Sequence, residues 1–370
     1  MNSAMARVLI VNSGSSSLKL SVIEDDNTVK IKKNFALNDS VSIKNQIQSF
    51  LTEAGNIDIV AHRIVHGGSK YRKSVIIDED VRSGLEALSE LAPLHNPVAL
   101  KIIDIIIPLL PSVPEVACFD TAFHSTLPYK AFTYAIPKKI SDAYDIRRFG
   151  FHGLSCSWST KIAKQVLPYE KYKKLIICHL GAGASLTAVA DGKSVDTTMG
   201  FTPLEGVVMA TRSGDIDPGI IIYLLRHAYG INEIEEILDK QSGLSSLLEG
   251  SKGNMLYVLD LFAKDDPEAK EAIEIYTTAV AKKIAAMSIS LDGLSSLVFT
   301  GGIGEGSYVI RKEIAKKIRF LGLSLDDEQN KSYDGSESML ISKVDSDISA
   351  LVVTAQEDLI MAEEARGFLK

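Results

Sequence analysis

Residues 8–26 run VLIVNSGSSSLKLSVIEDD: a β-branched stretch interrupted by one polar residue, Asn12, then a Gly/Ser tip and a second β-rich stretch closing on acidic residues. The pattern predicts a hairpin. Residues 175–192, LIICHLGAGASLTAVADG, repeat it, with His179 in the place of Asn12 and a Gly/Ala tip. Two short hairpins resemble one another easily, but an offset close to half the chain favours duplication of a whole domain. A third glycine cluster, GGIGEGS at 301–307, follows the apolar run 296–300 and precedes a helical pattern reaching about Leu321. Strand, glycine turn and helix start together present free backbone N–H groups to an anion. Asp217 and Pro218 read as N-cap and first turn of a helix over 219–229 with Gly230 as its stop. Asp266 and Pro267 open an amphipathic stretch to about Leu291. Clustered strands with helices between them predict an α/β protein with two related sheets and a cleft between them.

The length, 370 residues, suits two domains or one large one. Apolar residues at 46% and charged residues at 24% exclude disordered, fibrous and coiled-coil classes. Forty Lys and Arg against 47 Asp and Glu give a net charge of −7, and the basic residues form no stripe, which argues against a nucleic-acid partner. No apolar run approaches the roughly 20 residues that cross a bilayer, and 1–7 precede a strand rather than a signal-peptide core, so no membrane partner and a cytoplasmic location are expected. Cys118, Cys156 and Cys178 are odd in number and widely spaced, against a disulfide framework or zinc site.

The polar residues divide into several groups. The tip residues Gly14, Ser15, Ser16 and Ser17, with Lys19 just beyond, form either an ordinary Ser/Gly turn or a phosphate cradle; the further glycine turns at 181–183 and 301–306 favour a polyphosphate. Histidines cluster in HRIVHGG (62–68), LHNP (94–97), DTAFH (120–124) and FGFHG (149–153), each beside a turn or strand end where a donor can reach a cleft. His62 and His66 are four apart, but HRIVHGG reads as a strand rather than a helix, so no helical metal site is indicated, and His227 stands alone. Arg63 lies in an apolar strand, where its charge is costly unless something anionic compensates it. Arg212 has Asp215 and Asp217 nearby, so a structural salt bridge competes with a functional role. Asp120 ends an apolar run, the position of a carboxylate that holds Mg²⁺ or orients a nucleophile. Glu357 offers a second oxygen ligand, or complements the dipole of a helix it starts.

The strings VLIVNSGSSSLKLSV, HRIVHGG, LAPLHNP, FDTAFH, RRFGFHG, HLGAGAS, DTTMGFTPLEG, TRSGDIDPG, SGLSSL and FTGGIGEGS resemble, in order and over nearly the whole chain, the acetate kinase family of the actin, sugar kinase and Hsp70 superfamily. The resemblance implies duplicated RNase H-like (actin-like ATPase) domains with an interlobe cleft, 1–124 plus 360–370 forming one lobe and 125–359 the other. It implies reversible transfer of the ATP γ-phosphoryl group to acetate, giving acetyl phosphate and ADP, with Mg²⁺ or Mn²⁺, in a homodimer formed through the second lobe. Residue by residue, Asp120 matches the catalytic aspartate, His152 and Arg212 the transition-state stabilisers, and Arg63 the substrate-binding arginine. Val65, Leu94, Phe151 and Pro203 match the small acyl pocket, and Asn12 and Glu357 the magnesium site. Lys19 matches the lysine of the first hairpin; His179, Leu180, Gly181, Ala182 and Gly183 match one nucleotide-binding turn, and Gly302, Ile303, Gly304, Glu305 and Gly306 the other.

The chain departs from the family where the base and sugar would be held. Ala182 and Gly306 stand where asparagine is frequent, and Asn254-Met255-Leu256 falls on a segment that ordinarily carries an arginine. Two other enzyme readings keep the chemistry, one with propionate or another short carboxylate as acceptor and one with a relaxed phosphoryl donor. A non-transferring ATPase shares the fold. Arg63, His152 and Arg212 distinguish it, because attack by water needs no arginine to hold a carboxylate.

Overall fold

The computed structural model describes residues 6–369 apart from 15, 16, 38, 39 and 94. The hairpin at 8–26 forms as β1 (Val8–Ser13) and β2 (Ser17–Ile23), antiparallel, with Asn12 opposite Lys19. β3 (Val29–Ala36) extends it antiparallel to β2, while β4 (Ile59–Ile64) and then β6 (Glu115–Phe119) add in parallel on the other side of β1. A short β5 (Val75–Ile76) closes the edge antiparallel to β6, giving the order β3-β2-β1-β4-β6-β5.

The second sheet repeats this strand by strand. β7 (Lys174–Leu180), β8 (Ala184–Ala190) and β9 (Lys193–Thr197) are the antiparallel meander; β10 (Ser296–Thr300) and β12 (Ser349–Val352) add in parallel beside β7; β11 (Met339–Leu340) is the antiparallel edge. The order β11-β12-β10-β7-β8-β9 is that of the first sheet read from the other end. Chance likeness of two hairpins cannot give six matching strands with matching directions, so the fold is the duplicated α/β arrangement that the two hairpins predict.

The chain groups into two compact units. The first holds residues up to Ser125, Phe151–Trp158 and Gln356 onward; the second holds Thr126–Gly150 and Ser159–Ala355. Apart from one residue at Ser125, the boundaries read from sequence differ from this at 151–158 and 356–359, for a packing reason. Leu154 and Trp158 pack with Val8, Ile10 and Ile59 of the first sheet, and so does the helix Glu357–Arg366 through Leu359, Ile360 and Met361. The opposite face carries Leu9, Val11 and Val60 beneath the helices Ser40–Ala54 and Asn96–Ile106. Burial on both faces explains why these strands read as nearly continuous apolar runs.

In the second unit Asp266 caps the helix Pro267–Ser290 as expected, accepting from Ala269 N at 2.9 Å. Asp217 likewise caps Pro218–Arg226, but that helix stops before Gly230, which instead is the N-cap of Ile231–Lys240. The cluster at 301–306 is also corrected: Gly301–Gly306 is itself a short helix, and Ser307 then caps a second one, Tyr308–Ile318. The three cysteines are buried and none is in a disulfide. Among the described residues no helix is long and apolar enough to cross a membrane.

Candidate active site

In the first unit, β1, β4 and β6 are neighbouring parallel strands, and their C-terminal ends carry Asn12, Arg63 and Asp120. The ends of parallel strands are where open α/β sheets place ligands. Arg63 donates from Nε to Asp120 Oδ1 at 3.1 Å and from Nη2 to Oδ2 at 2.7 Å, a bidentate fork. Its Nη1 donates to Asn12 Oδ1 at 3.3 Å and lies 3.6 Å from Glu357 Oε2. Glu357 is the first residue of its helix, so it both complements that dipole and faces Arg63. Asp120 is 1% exposed. Burial works against the charge on Arg63, yet the negative charges of Asp120 and Glu357 and the Asp120 hydrogen bonds leave its pKa above the ordinary value. Four residues spread over nearly the whole sequence thus meet at one guanidinium. Lys19, opposite Asn12 on β2, is exposed.

His152 follows in the same unit with φ 57°, a left-handed conformation that is uncommon for a non-glycine residue and concentrates at functional sites. It opens into the helix Gly153–Val166, whose Gly153 N donates to Asp120 O at 2.8 Å. A Cβ on Gly153 would lie 2.2 Å from that oxygen, so glycine is what lets the helix start seat against Asp120. Val65 and Phe151 are both buried. The Phe151 ring stands edge-on to His66 at 5.3 Å. Leu94 and the tip residues Ser15 and Ser16 lie outside the described residues.

The expectation that every histidine cluster offers a donor to a cleft does not hold. His62 is buried against Glu115 at 2.7 Å, and His66 is buried with its Nδ1 accepting from Gly68 N. His124 is buried with Nε2 at 2.9 Å from Phe151 O, and burial pushes its pKa down to about 4. Each is part of the interior, and sequence strings cannot tell a strand-end histidine that faces in from one that faces out. Among the described residues no group of three His, Cys, Asp or Glu side chains is placed to hold a metal ion by itself.

In the second unit the turn Gly181–Gly183 and the helix Gly301–Gly306 follow adjacent parallel strands, β7 and β10, with His179 paired to Thr300. A Cβ on Gly181 would lie 3.8 Å from Gly302 N, and Gly301 has φ 78° directly over Leu180. Cβ atoms on Gly302 and Gly306 would meet nothing within 4 Å, so bare backbone is presented there. Leu180 is buried within its strand. Glu305 folds back, its Oε1 accepting from Gly301 N at 2.9 Å and Ala355 N at 3.1 Å. Asn254 is consumed as a helix cap, accepting from Leu256 N at 2.9 Å, and Leu256 is 73% exposed.

Arg212 does not pair with either neighbouring aspartate. Asp215 pairs with Lys283 at 2.5 Å and accepts from Gly206 N, and Asp217 caps its helix. Arg212 donates from Nη1 to Pro203 O at 2.9 Å, and burial lowers its pKa against the opposing charge of Asp239. The loop carrying Pro203 is held by a group that sequence reasoning missed. Glu205 accepts from Tyr134 and from Arg148, while Arg148 also donates to Thr198 O at 3.0 Å. Glu205 and Arg148 lie in two separate motif strings, and nothing in those strings signals that they meet each other or Tyr134.

The comparisons bear on this arrangement. Residues 41–363 match the Acetokinase family. An acetate kinase of Thermotoga maritima is 39% identical over 401 positions, covering 98% of this chain and 99% of its own length. One from Nostoc punctiforme is 45% identical over 316 positions, 85% of this chain and 77% of its own. Among solved structures, a propionate kinase from Francisella tularensis superposes with a TM-score of 0.91 at 37% identity, covering 98% of this chain and 100% of that one. Porphyromonas gingivalis acetate kinase does so with a TM-score of 0.89 at 31% identity over 99% and 100%. Matched along nearly its full length by such relatives, and folded as their solved structures are, this chain belongs to the acetokinase family.

Proposed function

We propose that this chain transfers the γ-phosphoryl group of ATP reversibly to acetate, giving acetyl phosphate and ADP. One observation carries the reading: a guanidinium at the ends of three parallel strands, Arg63, grips a carboxylate with both arms of its fork. The carboxylate in the structure is the protein's own Asp120, and acetate presents the same head group to the same cation. Acetate is already ionised at neutral pH, so the reaction requires no general base. What opposes it is repulsion between a carboxylate and a phosphate chain. Arg63 offsets that repulsion at the acceptor; Arg212, oriented by Pro203 O, and His152 are assigned to the charge on the transferring group, where preorganised donors contribute most.

A divalent cation fits the oxygens gathered at Arg63. Asn12, Asp120 and Glu357 offer hard amide and carboxylate donors. Two carboxylates and an amide suit an ion that keeps several waters and takes its remaining ligands from phosphate. When bound, Mg²⁺ or Mn²⁺ would neutralise phosphate oxygens. The glycine turns at 181–183 and 302–306 are assigned to the nucleotide phosphates, with Lys19 as a further cation, since Gly302 and Gly306 leave the backbone open to close approach. Self-association is assigned to the helix Pro218–Arg226 and the residues after it, which expose Ile220, Ile222, Tyr223, Leu225 and Ile231.

Arg63→Ala and Arg212→Ala should differ in kind. Loss of Arg63 removes a contact made in ground and transition states, so the acetate KM rises; loss of Arg212 lowers kcat by roughly 10²-fold or more. Steady-state kinetics on both folded variants, with His227→Gln as a control that keeps activity, checks this, and normal kcat and KM in both would remove the assignment. Val65→Ala should raise the propionate-to-acetate ratio of kcat/KM by about three- to tenfold. An unchanged ratio places the methyl group elsewhere.

With Asn254 spent on a helix cap and an aliphatic Leu256 in place of a stacking cation, donor preference should be flat. GTP or ITP is expected within about tenfold of ATP in kcat/KM, since 1.4 kcal/mol corresponds to that factor. A preference for ATP above about a hundredfold, measured at fixed free Mg²⁺, contradicts it. In sedimentation at micromolar concentration the chain should run as a dimer and Ile222→Asp as a monomer; a monomeric wild-type protein rejects the assigned face.

A further inference from the structure

Arg311 is 1% exposed, the largest side chain among those fully buried. Its fork ends on four neutral oxygens. Nε donates to Asn330 Oδ1 at 2.7 Å and Nη2 to Asn330 O at 2.7 Å. Nη1 donates to Gly304 O at 2.9 Å and Glu305 O at 2.6 Å. Asn330 in turn donates from Nδ2 to Tyr308 O at 3.0 Å, and the Tyr333 ring lies 5.5 Å from the guanidinium carbon. Taking a guanidinium out of water is expensive, and where a site only needs filling, well-packed apolar residues serve as well or better. An aliphatic side chain would match the surrounding pattern of Ile310, Ile314 and Ile318.

The acceptors show what the cation does. Gly304 O and Glu305 O are late carbonyls of the helix Gly301–Gly306, groups that find no partner within their own helix. Six residues, four of them glycine, do not hold a helix unaided. This one is fixed at both ends by side chains: Glu305 takes Gly301 N at its start, and Arg311 takes the carbonyls at its end and ties them to Asn330. The opposite side of the same helix is open, with nothing within 4 Å of a Cβ on Gly302 or Gly306.

We propose that Arg311 is a positioning residue for nucleotide binding: from inside the second unit it fixes the glycine-rich helix whose outer backbone receives the phosphates. The inference rests on the reading of 302–306 as a nucleotide-binding turn. Lysine keeps the charge but lacks the fork, so it cannot reach Asn330 and both carbonyls together.

The test compares Arg311→Lys, Arg311→Met and Gly302→Val by ADP binding, by ATP and acetate KM, and by thermal unfolding. Arg311→Lys should raise the ADP Kd and the ATP KM roughly tenfold, and Arg311→Met at least as much, with the acetate KM held within about twofold. A role in folding alone would lower the melting temperature and leave this split between the two KM values absent. The Cβ of a valine at Gly302 has no atom within 4 Å beyond its chain neighbours and its own helix backbone, so weakened ADP binding in a folded variant reports the ligand's approach. If Gly302→Val weakens ADP and the folded Arg311 variants do not, or shift both KM values equally, the positioning role is overturned. If Gly302→Val binds ADP normally, the nucleotide reading of the turn fails, and this inference with it. Should neither Arg311 variant fold, Asn330→Ala decides: it keeps the cation, removes one anchor, and should weaken ADP binding about threefold or more without moving the acetate KM. Unchanged ADP binding in that variant overturns the proposal.

Discussion

The bidentate ion pair between Arg63 and Asp120 joins the ends of β4 and β6, and the polar side chains at the strand ends of the first unit are arranged around it. A guanidinium in this position demands compensation, and removing one member of a buried pair typically costs about 3–5 kcal/mol because the other is left uncompensated. The chain meets the demand from three distant segments. Asp120 supplies the fork contact, Asn12 an amide oxygen, and Glu357 a second carboxylate from the first turn of its helix. The residues proposed to hold an acceptor and a divalent cation are therefore brought together by an electrostatic requirement of the fold itself. Gly153 extends the arrangement, since its amide on Asp120 O seats the start of the helix that follows His152 against the end of β6.

Duplication explains how two chemistries come from one plan. Both sheets run meander, two parallel strands and an antiparallel edge. In the first copy the central strand ends in Asn12 and Ser13 and its parallel neighbour in Arg63 and Ile64, polar side chains gathered around one guanidinium. In the second the equivalent strands end in Leu180 and Thr300, each succeeded by glycine. Side chains do the gripping in one unit, and exposed backbone is offered in the other. Backbone offered in this way has to be held from behind, which is the part taken by Glu305 and Arg311.

How much of this was legible depended on whether the signal was local. The hairpins at 8–26 and 175–192, and the caps Asp217 and Asp266, carry their chemistry in adjacent residues, and they form as read. The helix at 301–306 was hidden because glycine is a poor helix former, and this turn is stabilised by Arg311, which comes after it in sequence. Gly230 reads as a stop because glycine suits a helix end, yet the same residue serves equally at the start of the next helix. His62 and His66, in or just after β4, and His124, in the short helical turn Ala122–Thr126, read as available because a single string does not show which side of a strand or turn is buried. The meeting of Asn12, Arg63, Asp120 and Glu357 has no local signal at all; it came into view through the family resemblance and is explained by the sheet order. Asn254 lies in the segment that departs from the family pattern, and the backbone takes it for its own cap.

The central claim is that a carboxylate, rather than water, receives the phosphoryl group. Hydroxylamine converts acyl phosphates to hydroxamates, so the purified chain incubated with ATP, Mg²⁺ and hydroxylamine reports the acceptor directly. The account predicts hydroxamate formation that depends on acetate and is weaker with propionate, with little phosphate released when no carboxylate is added. Steady release of phosphate from ATP with no hydroxamate from any short carboxylate would contradict it.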